Sequence, residues 1–421
     1  MPNHQKVTII GGSIWGNRGA AAMLETTIGK IRESSSNVEF FIFTPYPSVD
    51  KSLTMDTTFT FFDSRPKSLI LLNIKAVWFW FLKKIRLQIH PSGELKAIIE
   101  SRQLLDIGGI TFSDGRLIFL PYNILTILPA LLFNVPVIKL SQAAGPFHNP
   151  IIRIFAKIFL SKCTFIFARG EKTLEFLSGL GLDKNQVSLA MDATFVFDEK
   201  YCLTKENTIA VNQVCESLDI RKKEGTRLIG ISPSILVKDK MQSKNSNYLK
   251  ILIETIKKSS YQQDLHFLVF PNASREKSKK KRNNDILVIE EMRNLAEIDL
   301  PKSIYDRITW MPFDIDTRGI GELVKRLDIL ISSRFHAMVF GLRLGIPTLV
   351  IGWGHKYLEV MKVFHQESCV FDYQETGRDL VKLIHEMLEK NEKIRSEISQ
   401  ELLTVQALSQ KQFDYLKRFL D

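Results

Sequence analysis

Short apolar segments alternate with longer amphipathic segments along almost the whole chain. In the first half the apolar segments are VTIIGG, VEFFIF, LLDIGG, VPVIKL, FIFA and VSLA, and in the second half they are LIGISPS, LHFLVF, ITWM, DILISS and PTLVIG. Buried strands of a parallel sheet form nearly continuous apolar runs, and the helices between them cover both faces of the sheet. The alternation therefore predicts an α/β protein built from parallel sheets.

A polar stretch separates the two series of strands, which predicts two domains. The chain has 421 residues, and a single hydrophobic core stops growing beyond about 250–300 residues. We predict two doubly wound, Rossmann-like domains that face a cleft. Their expected bounds are 1–200 for the N-terminal domain, 201–226 for a linker or excursion, 227–390 for the C-terminal domain, and 391–421 for a helix that could pack back on the N-terminal domain.

Glycines dominate the turn after the first predicted strand, IIGGSIWGNRG. Glycine lets backbone N–H groups approach a ligand at a helix N-terminus, where the helix dipole favours negative charge. On this basis Gly12, Asn17 and Arg18 are candidate ligand contacts. A tight, closely packed turn explains the same glycines without a ligand. Neither G-x-G-x-x-G nor a Gly-Lys-Ser/Thr motif is present, which disfavours dinucleotide and P-loop nucleotide binding.

Polar residues follow several other predicted strands of the first half. The carboxyl ends of parallel strands meet at one edge of a sheet, where ligands of doubly wound domains bind. The candidate residues at this edge are Asp106, Gly109, Arg169 and Asp192. Strand-end aspartates also cap helices and loops, so a structural function for Asp106 and Asp192 remains open.

The densest cluster of candidate residues lies in DILISSRFHAMVFGLRLGIPTLVIGWGHKY. Arg334 and His336 follow one predicted strand at the start of a helix that Ser333 is expected to cap. His355 and Lys356 follow the next strand. Several cationic or protonatable groups beside a helix N-terminus suit a small anion with more than one charge.

The composition favours an anionic partner in a reducing compartment. Lysine and arginine number 57 against 46 acidic residues, a formal charge of +11, which suits phosphorylated metabolites, membrane headgroups or nucleic acid. No zinc-finger, ribonucleoprotein or helix-turn-helix pattern is present, so we expect no nucleic acid. Four widely spaced cysteines predict neither a metal site nor disulfides, and no secretory signal pattern precedes the first strand, so we expect a cytoplasmic protein. The lysine-rich run SREKSKKKRNND is interpreted as a solvated loop.

Two apolar segments raise the question of membrane contact. LIFLPYNILTILPALLFNVPVI carries no charge, but its three prolines predict a short helix followed by a buried strand. In LILLNIKAVWFWFLKKIRLQIH, Trp78 and Trp80 precede Lys83 and Lys84. This order is typical of a helix lying on an anionic membrane surface, although a core helix with a basic end has the same pattern.

The segments GNRGAAAML, LLDIGG, SQAAGPF, FARGEKTLEFLSGLG, MDATF and SSRFHAMVFGLRLGIP, with the Lys356 loop, together resemble the polysaccharide pyruvyl transferase family. The resemblance covers nearly the whole chain. It implies two glycosyltransferase-B-like domains and transfer of a pyruvyl group from phosphoenolpyruvate onto sugar hydroxyls. It also matches Arg334 and His336 to the family's Arg-x-His pair at the phosphoenolpyruvate pocket, and Arg169 to the arginine of an N-terminal strand-end motif. Gly170 and Glu171 follow Arg169 where the family often has Arg-Asp.

The chemistry that this resemblance implies assigns a function to each candidate residue. His336 would serve as the acid–base group, and Arg334 with Arg169 and Lys356 would hold carboxylate and phosphate. Asp106 and Asp192 would orient or deprotonate the acceptor hydroxyl, with the N-terminal domain on the acceptor side. No cofactor or metal is expected, phosphoenolpyruvate being a co-substrate. The acceptor would be a saccharide, with a lipid-linked one among the candidates, and the enzyme would be cytoplasmic or peripheral on the inner face of the membrane.

Two other classes of function fit part of the pattern. A nucleotide-sugar glycosyltransferase of the same architecture would also use a basic cleft. A non-catalytic membrane-associated scaffold would explain the aromatic segment around Trp78, but it gives no reason for Arg334 and His336 beside glycine-rich turns.

Overall fold

The structure is a computed structural model, and it describes residues 5–88, 90–204, 209–243, 246–275, 283–352, 355–371 and 379–420. The chain forms two compact units. The N-terminal unit comprises Met1–Trp15, Ala20–Thr204 and Gln406–Asp421, and the C-terminal unit comprises Gly16–Gly19 and Lys205–Val405.

The N-terminal unit contains a parallel sheet of eight strands within the described ranges. The strands are β1 Gln5–Ile10, β2 Val38–Thr44, β3 Phe59–Asp63, β4 Gln103–Asp106, β5 Ile110–Ser113, β6 Val137–Gly145, β7 Phe165–Arg169 and β8 Val187–Ala190. Their order is β3-β2-β1-β4-β6-β7-β8, and β5 pairs with β6. Chain order thus reverses direction beside β1, as it does in a doubly wound fold.

Helices cover both faces of this sheet. They are α1 Arg18–Ser34, α2 Pro47–Leu53, α3 Pro66–Lys84, α4 Gly93–Glu100, α5 Leu120–Leu125, α6 Leu128–Leu132, α7 Pro150–Leu160 and α8 Glu171–Gly179. Neighbouring strand residues point to opposite faces: Ile10 and Val137 join the hydrophobic cluster beneath α3 and α7, whereas Ile9 and Ile138 join the cluster beneath α1. Apolar residues in successive positions therefore fill two cores.

The C-terminal unit repeats this arrangement. Its strands are β9 Arg227–Ser232, β10 Leu265–Val269, β11 Ile308–Trp310, β12 Ile329–Ser332, β13 Thr348–Ile351 and β14 Val370–Phe371. They pair in parallel in the order β11-β10-β9-β12-β13-β14. Its helices are α9 Ile209–Lys223, α10 Ile235–Gln242, α11 Tyr248–Ser260, α12 Ile286–Asp299, α13 Lys302–Tyr305, α14 Thr317–Lys325, α15 Phe335–Arg343, α16 His355–Val363 and α17 Leu380–Glu389.

The last helix, α18 Asn391–Leu416, begins in the C-terminal unit and ends in the N-terminal unit. Within the C-terminal unit, Asn391 Nδ2 donates to Asp328 O at 2.8 Å. Within the N-terminal unit, Ser409 Oγ donates to Asp192 O at 2.9 Å and Gln412 Nε2 donates to Met191 O at 3.2 Å. The stretch 201–226, interpreted from the sequence as a linker or excursion, contains helix α9.

The predicted fold class, two doubly wound α/β domains, is confirmed. Every apolar segment that was predicted to be a strand lies in one, whereas the prediction missed β3, β5 and β14, which are short and lie at a sheet edge or off the main strand path. In the uncharged apolar segment, Pro121 and Pro129 stand in the first turns of α5 and α6, where a missing N–H costs nothing. Among the described residues, no helix is long and apolar enough to cross a membrane.

Gly29 in the middle of α1 provides a test of packing against helix propensity. A Cβ at Gly29 would overlap the buried ring of Tyr201, whereas a Cβ at Gly179, the last residue of α8, meets nothing within 4 Å. Alanine favours a helix over glycine by up to about 1 kcal/mol. We expect Gly29→Ala to lower the free energy of unfolding by about 1–3 kcal/mol and Gly179→Ala to leave it equal or higher, as measured by urea unfolding. Equal effects of the two variants would contradict this packing.

Candidate active site

Asp106 and Arg334 each lie beside the point where the strand order of their sheet changes direction, whereas Arg169 and Asp192 follow β7 and β8, further along the N-terminal sheet. In the N-terminal unit this point is between β1 and β4, where Ile10 is in register with Asp106. In the C-terminal unit it is between β9 and β12, where Ser232 is in register with Ser332. Ligands of doubly wound domains bind outside the carboxyl ends of the strands at such points. Each unit therefore offers one candidate binding edge.

Asp106 at the end of β4 forms a buried ion pair with Lys139 of β6. The side chain of Lys139 has no exposed surface. The second carboxylate oxygen of Asp106 accepts from Gly108 N at 2.9 Å, and Gln142 Nε2 donates to Asp106 O at 3.1 Å. Asp106 thus fixes the loop after β4 and neutralises a cation. This placement supports the structural function that the sequence left open for Asp106.

Arg169 at the end of β7 pairs with Asp192, with Nη1 and Oδ2 2.9 Å apart and both side chains buried. Asp192 Oδ1 accepts from Thr194 N at 3.0 Å and from Thr194 Oγ1 at 2.6 Å, so it also caps the 3-10 helix Ala193–Val196. A Cβ at Gly109 would lie 3.3 Å from Arg169 Nη1. The structure thus brings together Gly109, Arg169 and Asp192, which the sequence placed at the ends of predicted strands.

The glycines after β1 serve close packing in the N-terminal unit. Gly11 has φ +85°, and a Cβ there would overlap the backbone of Gly108. A Cβ at Gly12 would meet Ile107 at 2.7 Å. The first part of the glycine-rich turn therefore lets the loops after β1 and β4 touch, which is the explanation that needs no ligand.

Arg334 after β12 is held by Asp285. Its Nε lies 2.9 Å from Asp285 Oδ2, its Nη2 pairs with Asp285 Oδ1, and its Nη1 lies 3.3 Å from Asn283 Oδ1. Asp285 is fully buried and also accepts from Ile235 N at 3.1 Å and Ala273 N at 3.0 Å. One carboxylate thus joins the loops after β9 and β10 to the guanidinium. The position of Arg334 is therefore fixed by the strand-end loops around it.

Ser333 does not cap the helix that follows it, so that prediction is wrong. Helix α15 has Arg334 as its N-cap residue without a side-chain capping bond, and Ser333 Oγ accepts from Tyr248 at 2.7 Å. Burial raises the pKa of Tyr248 above its ordinary value, so this hydroxyl stays protonated and donates. Tyr357 donates to Ser333 O at 3.4 Å from the other side.

Lys356 in the first turn of α16 lies over two aromatic rings. Its Nζ is 5.4 Å from the ring centroid of Phe335 and 5.0 Å from that of Tyr357. Cation–π attraction at such distances holds the ammonium near the start of α15. Lys356 therefore lies near Phe335, the residue that follows Arg334. The sequence had placed Lys356 and Arg334 after neighbouring strands. The side chain of His355 lies outside the described residues.

The segment Gly16–Gly19 packs within the C-terminal unit. Arg18 is buried and pairs with Asp314, while Arg18 N donates to Asn272 O at 3.1 Å. Asn17 Oδ1 accepts from Gly19 N at 3.1 Å. A Cβ at Gly19 would overlap the imidazole of His336. The missing side chain of Gly19 therefore leaves room for the imidazole of His336.

Several residues of these clusters were missed by sequence reasoning. They are Lys139, Gln142, Tyr248, Asp285 and Asp314. A charged residue inside the buried strand VPVIKL was a signal for Lys139. Asp285 ends the lysine-rich run that was interpreted as a solvated loop, yet Ser274 and Asp285 at its two ends are buried; residues 276–282 lie outside the described ranges. Among the described residues, no group of three or more His, Cys, Asp or Glu is arranged to hold a metal ion.

Most of the strand-end residues of both units, among them Asp106, Arg169, Arg334 and His336, fall within residues 17–355, which match the family model of the polysaccharide pyruvyl transferases. That span is most of the chain. The chain therefore belongs to the polysaccharide pyruvyl transferase family, a family of transferases of polysaccharide biosynthesis.

The chain is also similar to a curated protein and to several solved structures. The amylovoran biosynthesis protein AmsJ of Erwinia amylovora is 19% identical over 431 residues, covering 94% of each chain. A glycosyltransferase from Rickettsia africae ESF-5 has a TM-score of 0.58 at 12% identity, covering 100% of this chain and 99% of its own. Anabaena HepE in complex with UDP-glucose has a TM-score of 0.56 at 11% identity, covering 99% and 100%. The likeness to these structures shows the glycosyltransferase-B-like fold.

The ion pair of Asp106 and Lys139 provides a test of their structural function. Lys139→Met leaves a buried carboxylate without its cation, so we expect the free energy of unfolding to fall by about 3–5 kcal/mol. The double variant Asp106→Asn with Lys139→Met should recover most of that loss. The control is Lys6→Met, which removes a half-exposed pair with Glu100 and should cost less than about 1 kcal/mol. If Lys139→Met is as mild as Lys6→Met in urea unfolding, Lys139 is not needed to neutralise Asp106.

Proposed function

We propose that the protein moves the enolpyruvyl carbons of phosphoenolpyruvate onto two hydroxyls of a saccharide, forming a pyruvate ketal and releasing phosphate. The observation that supports this proposal is the pairing of Arg334, fixed by Asp285, with His336 at the carboxyl end of β12 in a member of this family. A fixed guanidinium beside an imidazole suits a donor with anionic groups and a carbon that must be protonated.

The proposed reaction balances without an oxidant or a cofactor. Protonation of the methylene carbon turns it into a methyl group and leaves the central carbon cationic. A first hydroxyl attacks that carbon and loses its proton, the C–O bond to phosphate breaks, and a second hydroxyl closes the ketal and loses its proton. Of the two protons released, one restores the acid and the other leaves with phosphate.

His336 is the proposed acid–base group. Imidazole donates and accepts protons near neutral pH, which is worth about 10²- to 10⁴-fold in rate when the group is positioned. The imidazole ring of His336 is inclined at 87° to the ring of Phe335, and the two ring centroids are 5.3 Å apart. Gly19 also packs against this imidazole. These contacts would hold the ring in one orientation for proton transfer.

Arg334 is the proposed donor-binding residue, and Asp285 is its positioning residue. Asp285 offsets the charge of Arg334. The guanidinium would therefore bind phosphoenolpyruvate more through its oriented N–H groups than through net charge. Lys356, which is held over Phe335 and Tyr357, would supply an additional cation. His355 remains a candidate from its sequence position alone.

In the N-terminal unit we propose that Arg169 binds an anionic group of a substrate, with the backbone at Gly109 beside it. Asp106 and Asp192 would then position Lys139 and Arg169 rather than remove a proton from the acceptor. Gly12 would shape the loop after β1 by packing. In the C-terminal unit, Asn17 and Arg18 would hold the segment Gly16–Gly19 in place, through the Asn17–Gly19 bond and the Arg18–Asp314 pair.

The proposed acceptor is a saccharide of a cell-surface polysaccharide, since the family and AmsJ are named for polysaccharides. It could be carried on a lipid or a nucleotide, or belong to a polymer. We propose a cytoplasmic location, which agrees with four cysteines that remain thiols.

The alternative is a nucleotide-sugar enzyme, supported by the structural likeness to HepE, whose crystal structure contains UDP-glucose. Thermal-shift measurements with phosphoenolpyruvate and with UDP-sugars separate the two. We expect stabilisation by phosphoenolpyruvate, followed by phosphate release and a mass gain on an added lipid-linked or nucleotide-linked saccharide. Stabilisation by UDP-sugars alone would favour the alternative. A wild type without turnover on any of these donors would favour a scaffold.

Arg334 should control the affinity for phosphoenolpyruvate. We expect Arg334→Ala to raise the KM for phosphoenolpyruvate at least about tenfold. Arg334→Lys should restore little of the lost affinity, because a compact ammonium replaces the planar guanidinium and its several N–H donors. Asp285→Asn should raise KM more than it lowers kcat. The control Arg227→Ala removes a half-exposed arginine at the opposite end of β9 and should leave KM unchanged. An unchanged KM in Arg334→Ala would remove this residue from the pocket.

His336 and Gly19 should control kcat. We expect His336→Ala to lower kcat about 10²-fold or more with an unchanged unfolding transition. Gly19→Ala should also lower kcat, because its Cβ would displace the imidazole, whereas Gly179→Ala on open surface should not. Wild-type turnover in Gly19→Ala would show that the contact with Gly19 does not position His336.

A further inference from the structure

Helix α3 of the N-terminal unit buries one face and leaves the other apolar and exposed. Leu69, Leu72 and Ala76 pack into the core. The opposite face carries an exposed apolar stripe of Ile70, Leu71, Ile74, Val77, Trp78 and Phe81. Trp78 is 58% exposed and stacks on Phe81, with ring centroids 6.4 Å apart. A helix that is apolar all round yet half exposed requires an explanation.

Trp80 differs from Trp78. Residues two positions apart lie about 200° apart around a helix, so the two indoles cannot share a face. Trp80 packs partly buried against the core, with Lys84 Nζ 4.6 Å from its ring centroid. The sequence expectation that Trp78 and Trp80 act together is therefore corrected: Trp78 alone belongs to the outer stripe.

Helix α7, on the same side of the sheet, shows the same division. Ile152, Ala156 and Leu160 pack into the same hydrophobic cluster as the inner face of α3. Its outer face exposes Ile151, Ile154, Phe155 and Ile158, of which Ile154 is 58% exposed. We call the outer stripes of α3 and α7 the apolar face.

The chain around the apolar face carries cations without carboxylates. Neither residues 64–92 nor residues 115–163 contain an aspartate or glutamate. Exposed cations on or beside these helices are Lys67, Lys75, Lys83, Lys84, Arg86, Arg116, Arg153, Lys157 and Lys162. The acids that precede the two segments are engaged: Asp63 pairs with Arg65 at 2.7 Å, and Asp114 accepts from His148 N at 2.7 Å.

We propose that the apolar face docks on the surface of an anionic lipid bilayer. Apolar and aromatic side chains among lysines and arginines match the boundary between acyl chains and anionic headgroups. A second copy of this chain would bring these cations together with no carboxylate in either segment to neutralise them, which disfavours self-association through this face. The inference does not depend on the proposed reaction, because it rests on surface chemistry alone.

The test is flotation of the full-length protein with vesicles of phosphatidylcholine alone or with added phosphatidylglycerol, at low and high salt. We expect binding only to the anionic vesicles and loss of binding at high salt. Trp78→Ser, and Ile154→Ser with Phe155→Ser, should each weaken binding at least about tenfold. The control Ile298→Ser removes an apolar residue that is 82% exposed on α12 and should bind as the wild type does.

Charge needs its own control, since the whole protein is basic. Lys75→Glu with Lys157→Glu should weaken binding at least about tenfold, whereas Lys250→Glu with Lys258→Glu, equally exposed on α11 and equal in net charge, should not. Unfolding midpoints check that all variants fold. Wild-type protein that ignores anionic vesicles at low salt would overturn the proposal, as would equal losses in the two charge variants. Self-association that Trp78→Ser abolishes would instead assign the face to a second copy.

Discussion

A cation removed from water must be paired with an anion, and this requirement organises the strand ends of both units. Lys139 with Asp106, Arg169 with Asp192, and Arg334 with Asp285 each join a basic side chain to a buried carboxylate. Breaking one such pair leaves an uncompensated charge that costs several kcal/mol. The loops that supply these residues are therefore held in place by electrostatics as well as by packing.

This pairing affects what the strand ends can do chemically. A guanidinium whose charge is offset by a carboxylate offers a substrate fixed donors, and fixed donors favour one orientation of an anion over others. Contacts with Gly19 and with the ring of Phe335 also orient the imidazole of His336. The C-terminal unit thus combines an oriented cation with an oriented imidazole at the carboxyl end of one strand.

The surface of the N-terminal unit follows a different rule. Helices α3 and α7 need only one apolar face to cover the sheet, yet each carries a second apolar face among lysines and arginines. Exposed apolar stripes lower solubility and promote aggregation, so their presence on two helices supports the proposed contact with lipid. The segments that contain these helices, residues 64–92 and 115–163, have no carboxylate, which gives them a basic surface.

The sequence by itself determined the alternation of strands and helices, the doubly wound class and the strand-end positions of Arg169, Arg334 and His336, because burial on both faces of a parallel sheet imposes a local pattern. It did not determine the partners of those residues. Asp285 ends a lysine-rich polar run, and Lys139 lies far along the chain from Asp106, so only the strand order brings each pair together. It likewise did not distinguish Trp78 from Trp80, or show that Gly19 makes room for an imidazole. These are properties of side chains distant in sequence, and tertiary packing alone decides which of them meet.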